Sequence, residues 1–167
     1  MTGYFIKKSN LRNTKTMPME KSAGAIVFYQ NPDNKIEYLL LQHNKNYWNF
    51  PKGLIEKNES EIETVKREIQ EETEVGEIEI IPGFKVVDKY FYRVPKDHPV
   101  TEKRGKAVFK IVVFYLVKVE TKEVKISWEH SGYEWLDFEG AVERLKKYKG
   151  SQRILEEANN YIIEHEA

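Results

Sequence analysis

The stretch GLIEKNESEIETVKREIQEETEV, residues 53–75, carries the longest helical pattern in the chain, from about Glu59 to Val75. Successive residues of a helix advance by about 100°. Ile62, Val65 and Ile69 therefore share one apolar stripe, the face expected to pack on a core. Glu68, Glu71 and Glu72 fall together beside that stripe, and Glu68 and Glu72, four apart, are neighbours on the helix surface. Carboxylates this close repel one another when ionised, and the apolar edge next to Glu72 adds a desolvation cost. Arg67, four before Glu71, offsets only part of that charge. A divalent cation bound by hard oxygen ligands, Mg²⁺ or Mn²⁺, resolves the rest. Spacing alone also fits a solvated acidic face on a surface helix.

Outward from this helix, periodicity and turn chemistry divide the remaining chain. SAGAIVFY (Ser22–Tyr29) and IEYLLLQ (Ile36–Gln42) read as strands joined through Asn31-Pro32-Asp33-Asn34 into a hairpin. Asn49 to Gly53 reads as the start of a loop. Beyond the helix, Ile78–Ile81, Phe84–Arg93, Ala107–Val119 and Tyr133–Leu136 read as strands, with a charged, Pro-containing loop over Val94–Gly105. Helical segments at Phe138–Tyr148 and Ser151–Glu164 close the chain. The order of strands, helix, strands, helices, without internal repeat, predicts an α/β (α+β) fold: one domain over residues 21–167, a mixed sheet covered by helices. Residues 1–20 are polar and weakly patterned and read as an arm, either flexible or added as an edge strand.

Composition excludes several classes of function. The 167 residues contain no cysteine, which removes disulfides, thiolate metal sites and a cysteine nucleophile. Lys+Arg and Asp+Glu both number 27, so net charge directs the chain toward neither nucleic acid nor an anionic membrane. No apolar run reaches the roughly 18 residues of a membrane span. The opening MTGYFIKKSNLRNTK lacks the apolar core of a secretory signal, and the expectation is a cytoplasmic protein with no membrane partner, monomer or homodimer.

The spacing within residues 53–75 resembles the Nudix box. Gly53, Glu59, Arg67, Glu68, Ile69, Glu71, Glu72 and Val75 stand at the fixed positions of that motif, and Glu74 replaces its second glycine. The resemblance implies an α/β/α sandwich and Mg²⁺-dependent hydrolysis of a nucleoside diphosphate linked to another group. It implies Glu68, Glu71 and Glu72 as metal ligands, with the backbone carbonyl of Lys52 as an extra ligand. Gly53 permits a tight turn and close backbone approach. Glu59 is expected to begin the helix and meet its dipole, and Arg67 to hold Glu71 or the preceding loop. Glu74 leaves the helix end open, either at this residue or two further on at Gly76.

The run EYLLLQHNKNYWNFPKG (Glu37–Gly53), together with Gly83-Phe84-Lys85 and WEHSGYEWL (Trp128–Leu136), is similar to the bis(5′-nucleosyl)-tetraphosphatase branch, the diadenosine tetraphosphate hydrolases. This likeness covers about Ser22 to Tyr161. It implies asymmetric cleavage to ATP and AMP, with Lys52 and Lys106 on phosphates, Tyr92 and Tyr133 near the nucleotide, and His43 structural or a minor contact. It also implies Glu129 as a further metal ligand or general base, in a loop able to swing over the metal site. A basic, aromatic-rich region from Lys85 to Lys110 suits phosphates beside a purine. Two other readings stand beside this one: removal of pyrophosphate from an RNA 5′ end, and a non-catalytic nucleotide sensor.

Overall fold

Alternation along a strand decides which helix each side chain meets, and here both faces of the sheet are apolar. The computed structural model describes residues 17–44 and 47–165. In chain order the elements are β1 (Met19–Gln30), β2 (Ile36–Asn44), β3 (Tyr47–Asn49), β4 (Lys52–Leu54), α1 (Glu61–Thr73), β5 (Ile78–Ile80), β6 (Val86–Arg93), β7 (Ala107–Val119), β8 (Gly132–Leu136), α2 (Phe138–Arg144) and α3 (Lys149–His165). A single 3-10 turn at Thr101–Lys103 lies in the connection before β7.

The centre of the sheet is β1 against β7, parallel from Met19–Phe109 to Tyr29–Val119. Every other pairing is antiparallel: β2 and β4 with β1, β3 and β8 with β2, β5 and β6 with β7. The sheet is therefore mixed, as predicted. On one face Ile26, Phe28, Tyr38, Leu40, Phe114 and Leu116 pack with Ala141 of α2, Leu145 just beyond it, and Ile154, Leu155, Ala158 and Ile162 of α3. On the other, Ala23, Ala25, Val27, Leu39, Leu41 and Val117 pack with Val65 and Ile69 of α1. Strands buried on both faces read as continuous apolar runs, which is why 23–29 and 38–41 carry no polar side chain but the Tyr29 and Tyr38 hydroxyls. Burying one such aliphatic side chain stabilises the fold by about 1.5–3 kcal/mol.

The hairpin turn forms as expected: Asn31 Oδ1 accepts from the backbone N–H of Asp33 and of Lys35, both at 2.9 Å, and Asn34 takes a left-handed conformation. Elsewhere the boundaries move. β1 begins at Met19, so the last two residues of the predicted arm belong to the sheet; residues 1–16 lie outside the described part. The predicted loop at 49–53 contains the end of β3 and the start of β4. β4 forms because the N-terminal half of β1 offers a free edge, a tertiary cause with no local signature. Phe84 precedes β6 and packs on the Tyr161 ring instead, at 5.4 Å between centroids. α2 stops at Arg144 rather than Tyr148; Leu145 leaves helical geometry while fully buried against both helices, and α3 starts at Lys149.

α1 ends at Thr73, and Glu74 itself takes the left-handed conformation (φ 43°, ψ 24°), its N–H bonded to the Gln70 carbonyl. The alternative end at Gly76 is thereby excluded. A left-handed non-glycine residue costs about 1 kcal/mol. The Lys125–Glu74 ion pair at 3.1 Å is solvent-exposed and offsets little of it. Glu74→Gly is therefore expected to raise the melting temperature by ~2–4 °C in a thermal melt, without changing activity.

Candidate active site

Ser60 starts α1. Its hydroxyl accepts from the Glu63 N–H while the Glu63 carboxylate accepts from the Ser60 N–H, a reciprocal cap. Glu59, expected to open the helix, lies one residue before this cap and does different work. Its two oxygens accept from Arg67 Nε (2.8 Å) and Nη2 (2.9 Å), and one also accepts from Thr64 Oγ1 (2.7 Å). The bonded Arg67 guanidinium holds the Glu59 carboxyl down to about 2. Arg67 meets both expectations for it and more: Nη2 donates to the Leu54 carbonyl (3.0 Å), and Nη1 to Glu71 (3.1 Å) and Glu68 (2.7 Å). One guanidinium thus ties the helix to the β4 loop and faces two of the three candidate ligands.

The three glutamates differ in surroundings. Glu68 and Glu72 are buried, whereas the Glu71 side chain is 60% exposed. Burial pushes the Glu68 carboxyl above its ordinary value; Arg67 opposes this, and the charges of Glu72 and Glu71 reinforce it. Glu72 Oε2 accepts from the backbone N–H of Lys52 at 3.1 Å. Gly53 makes this meeting possible. A Cβ there would stand 1.8–2.3 Å from the Glu68 carboxylate, so only glycine lets β4 and the helix approach.

These side chains line a groove of about 510 Å³, with Lys52, Gly53, Leu54, Glu56, Ser127, Trp128 and Glu129 completing it. Glu129 is exposed on its wall. Among the described residues no three acidic or imidazole groups stand together at metal-ligand spacing; the Arg67 guanidinium lies opposite Glu68 and Glu71 instead. The donor set nonetheless fits a small divalent cation: hard oxygens only, those of Glu68 and Glu72 buried, in a cradle that a Cβ at position 53 would fill.

The loop carrying Glu129 is fastened to α1. Lys125 N–H donates to the Thr73 carbonyl (2.9 Å), Ser127 N–H to the Glu72 carbonyl (3.1 Å), and Ser131 N–H to Gln42 (2.8 Å). The first two satisfy carbonyls that the C-terminus of α1 leaves open, and the third ties the loop to β2. His130 is buried with Nε2 3.2 Å from Glu72 Oε1, and the His43 ring meets it edge-on at 4.6 Å. The swinging loop expected from the sequence is, in the structure, pinned at both ends.

His43 does not reach either groove lining. Burial lowers its pKa to about 3, with Lys52 and His130 adding to the effect. The unfolded chain takes up a proton near 6.5 and the folded chain does not, so stability is complete above 6.5 and lost as pH falls toward about 3. Thermal melts across this window are expected to show a falling melting temperature, and a shallower fall for His43→Asn.

A second groove of about 410 Å³ adjoins the first through Lys52, which lines both. Its walls include Tyr47, Asn49, Asp88, Tyr90, Tyr148 and Ser151, over a floor of Val112 and Phe114. Tyr47 and Tyr148 meet edge-on at 4.8 Å, Asn49 Nδ2 donates to the Tyr47 hydroxyl (2.6 Å), and Ser151 Oγ donates to Asn49 (3.1 Å). Lys52 Nζ lies 5.7 Å from the centre of the Tyr47 ring. Burial lowers the Lys52 pKa, and Glu72 and Glu68 hold it up.

Three expected substrate contacts lie outside the linings of these two grooves. Tyr92 shares a strand face with Tyr90 but sits one step beyond the groove, where its hydroxyl donates to Glu20 (2.8 Å). Lys106 is exposed in the connection before β7 and lines neither groove. Tyr133, 39% exposed on β8, also lines neither. Lys110 likewise lines neither groove; its Nζ lies 3.8 Å from Glu20 and 5.8 Å from the centre of the Tyr92 ring. It pairs with Tyr90 across β6 and β7, shares the strand face of Val112 and Phe114, and feels the charges of Lys52 and Glu68. Nothing in the local sequence points to Tyr47 or Tyr148.

The fold and the first groove define a class: an α/β/α sandwich whose strand–loop–helix segment gathers glutamates at one end of the sheet. The chain belongs to the NUDIX domain family, which it matches over residues 20–158. It is 31% identical over 153 residues to the asymmetrical bis(5′-nucleosyl)-tetraphosphatase of Sus scrofa, covering 85% of this chain and 95% of that protein. An RNA pyrophosphohydrolase of Pelagibacter ubique is 26% identical over 144 residues, covering 82% and 88%. Among solved structures, a C. elegans Ap4A hydrolase binary complex superposes with a TM-score of 0.70 at 26% identity, covering 86% of this chain and 98% of that one. No helix among the described residues is long and apolar enough to cross a membrane.

Proposed function

We propose that residues 21–167, as one domain, hydrolyse a nucleotide polyphosphate, with diadenosine tetraphosphate cut asymmetrically to ATP and AMP. The observation that carries this reading is the adjacency of two unlike grooves sharing Lys52, one rich in carboxylates and one rich in aromatics. The names of the tetraphosphatase relatives support the same substrate.

Glu68, Glu71 and Glu72, with the Lys52 carbonyl and Glu129, would hold Mg²⁺ (or Mn²⁺) in the carboxylate groove. Such an ion neutralises charge on the leaving phosphate and lowers the pKa of water. The protein's own groups do the rest. Tyr47, Tyr90 and Tyr148 receive one nucleoside, and Lys52 stabilises charge developing on the phosphate chain. Water attacks one phosphorus atom, its P–O bond to the departing nucleotide breaks, and a carboxylate takes the proton. Glu68, whose surroundings favour protonation, or Glu129, exposed on the groove wall, is the acceptor. Arg67 positions Glu68 and Glu71.

The RNA 5′-end reading is kept by the Pelagibacter relative. A panel of dinucleoside polyphosphates, nucleotide sugars, ADP-ribose, nucleoside triphosphates and 5′-triphosphate RNA, each with Mg²⁺, separates the two. Release of ATP and AMP from diadenosine tetraphosphate is the expected result. Turnover confined to ADP-ribose or nucleotide sugars overturns it, and turnover confined to RNA favours the second reading.

A further inference from the structure

The chain has three tryptophans, and the structure accounts for two of them. Trp48 is buried, with the Arg144 guanidinium over its ring at 4.6 Å. Trp135 donates its indole N–H to the Lys122 carbonyl (3.2 Å) and meets Tyr29 edge-on. Trp128 does neither. It is 91% exposed, and among the described residues its ring has no aromatic or hydrogen-bonding partner. Its position is nonetheless fixed. The backbone on either side is held by Ser127 N–H to Glu72, by His130 N–H to Ser127 (3.2 Å), and by Ser131 N–H to Gln42. A large apolar ring displayed on an anchored turn, on the wall of a groove, contributes little to folding, and the backbone that carries it is set before any ligand arrives.

Charge says what kind of group it meets. Around Trp128 the groove presents Glu56, Glu71 and Glu129, while its cations, Lys52 and Arg67, are the ones already committed to the phosphate path and the glutamates. The phosphates are drawn to the cation that Glu71 and Glu129 would help to hold, and the uncharged ring of Trp128 beside them matches an uncharged purine face. The aromatic groove on the far side of Lys52 takes one nucleoside, so a polyphosphate crossing Lys52 delivers its other end toward Trp128.

Building on the function proposed above, we infer that Trp128 is the stacking platform for the second nucleoside of a dinucleoside polyphosphate, and so sets the preference for a substrate capped at both ends. The test compares diadenosine tetraphosphate with adenosine 5′-tetraphosphate, which has the same phosphate chain and one nucleoside, in the wild type, Trp128→Ala and Trp128→Phe. The expected result is a fall of roughly 5- to 150-fold in the ratio of kcat/KM for the two substrates in Trp128→Ala, carried by KM, with most of it restored in Trp128→Phe. A thermal melt establishes that each variant is folded. An unchanged ratio, or equal loss on both substrates, overturns the inference while leaving the proposed function standing. Failure of the wild type to cleave diadenosine tetraphosphate overturns both.

Discussion

Glu72→Gln is expected to lower kcat on diadenosine tetraphosphate by about 10³-fold, equivalent to about 4 kcal/mol of transition-state stabilisation, with a melting temperature close to that of the wild type. The two halves of this expectation come from different atoms. Glutamine keeps an oxygen able to accept the Lys52 N–H, so the bond between β4 and α1 survives. Its uncharged amide is a poor ligand for a hard divalent ion, so the charge that the mechanism needs is lost. Steady-state kinetics beside a circular dichroism melt measure both. Near-normal turnover in a folded variant would remove Glu72 from the principal ligands.

Gly53→Ala is expected to lower kcat by about 10²-fold while the protein still folds. The new Cβ collides with the carboxylate of Glu68 at about 2 Å, and the colliding group is the far end of a flexible side chain. Glu68 rotates away at modest cost to the fold, but it leaves the position from which Arg67 and Glu72 define it. Stability and rate therefore separate in this variant. Loss of folding would show that β4 cannot yield, and unchanged kcat would show that the placement of Glu68 does not matter to the reaction.

The readable parts of this molecule were those whose cause is local. The stripe of Val65 and Ile69, the hairpin at Asn31–Asn34 and the apolar centres of β1 and β2 follow from periodicity and turn chemistry, and they give the layers of the sandwich. The glutamates of α1 were legible for the same reason, since residues on one helix keep their spacing in any fold. Across strands the reading weakened. Tyr92 lies one step along its strand from the groove and Lys106 in the connection before β7, because where a strand residue falls relative to a groove depends on pairing with a distant partner. Glu59 shows the same limit at shorter range. Its partner Arg67 lies eight residues on, and the cap at Ser60 was needed to see that the helix begins after it. Tyr47 and Tyr148 meet only because α3 lies over the sheet beside β3, an arrangement with no trace in either segment.

The backbone bonds from Lys125 and Ser127 to the last turn of α1 have a mechanical consequence. Helix end and loop cannot open independently, because displacing the loop strips the carbonyls of Glu72 and Thr73 together. The wall bearing Glu129 and the helix bearing its companion acids thus behave as one cooperative body.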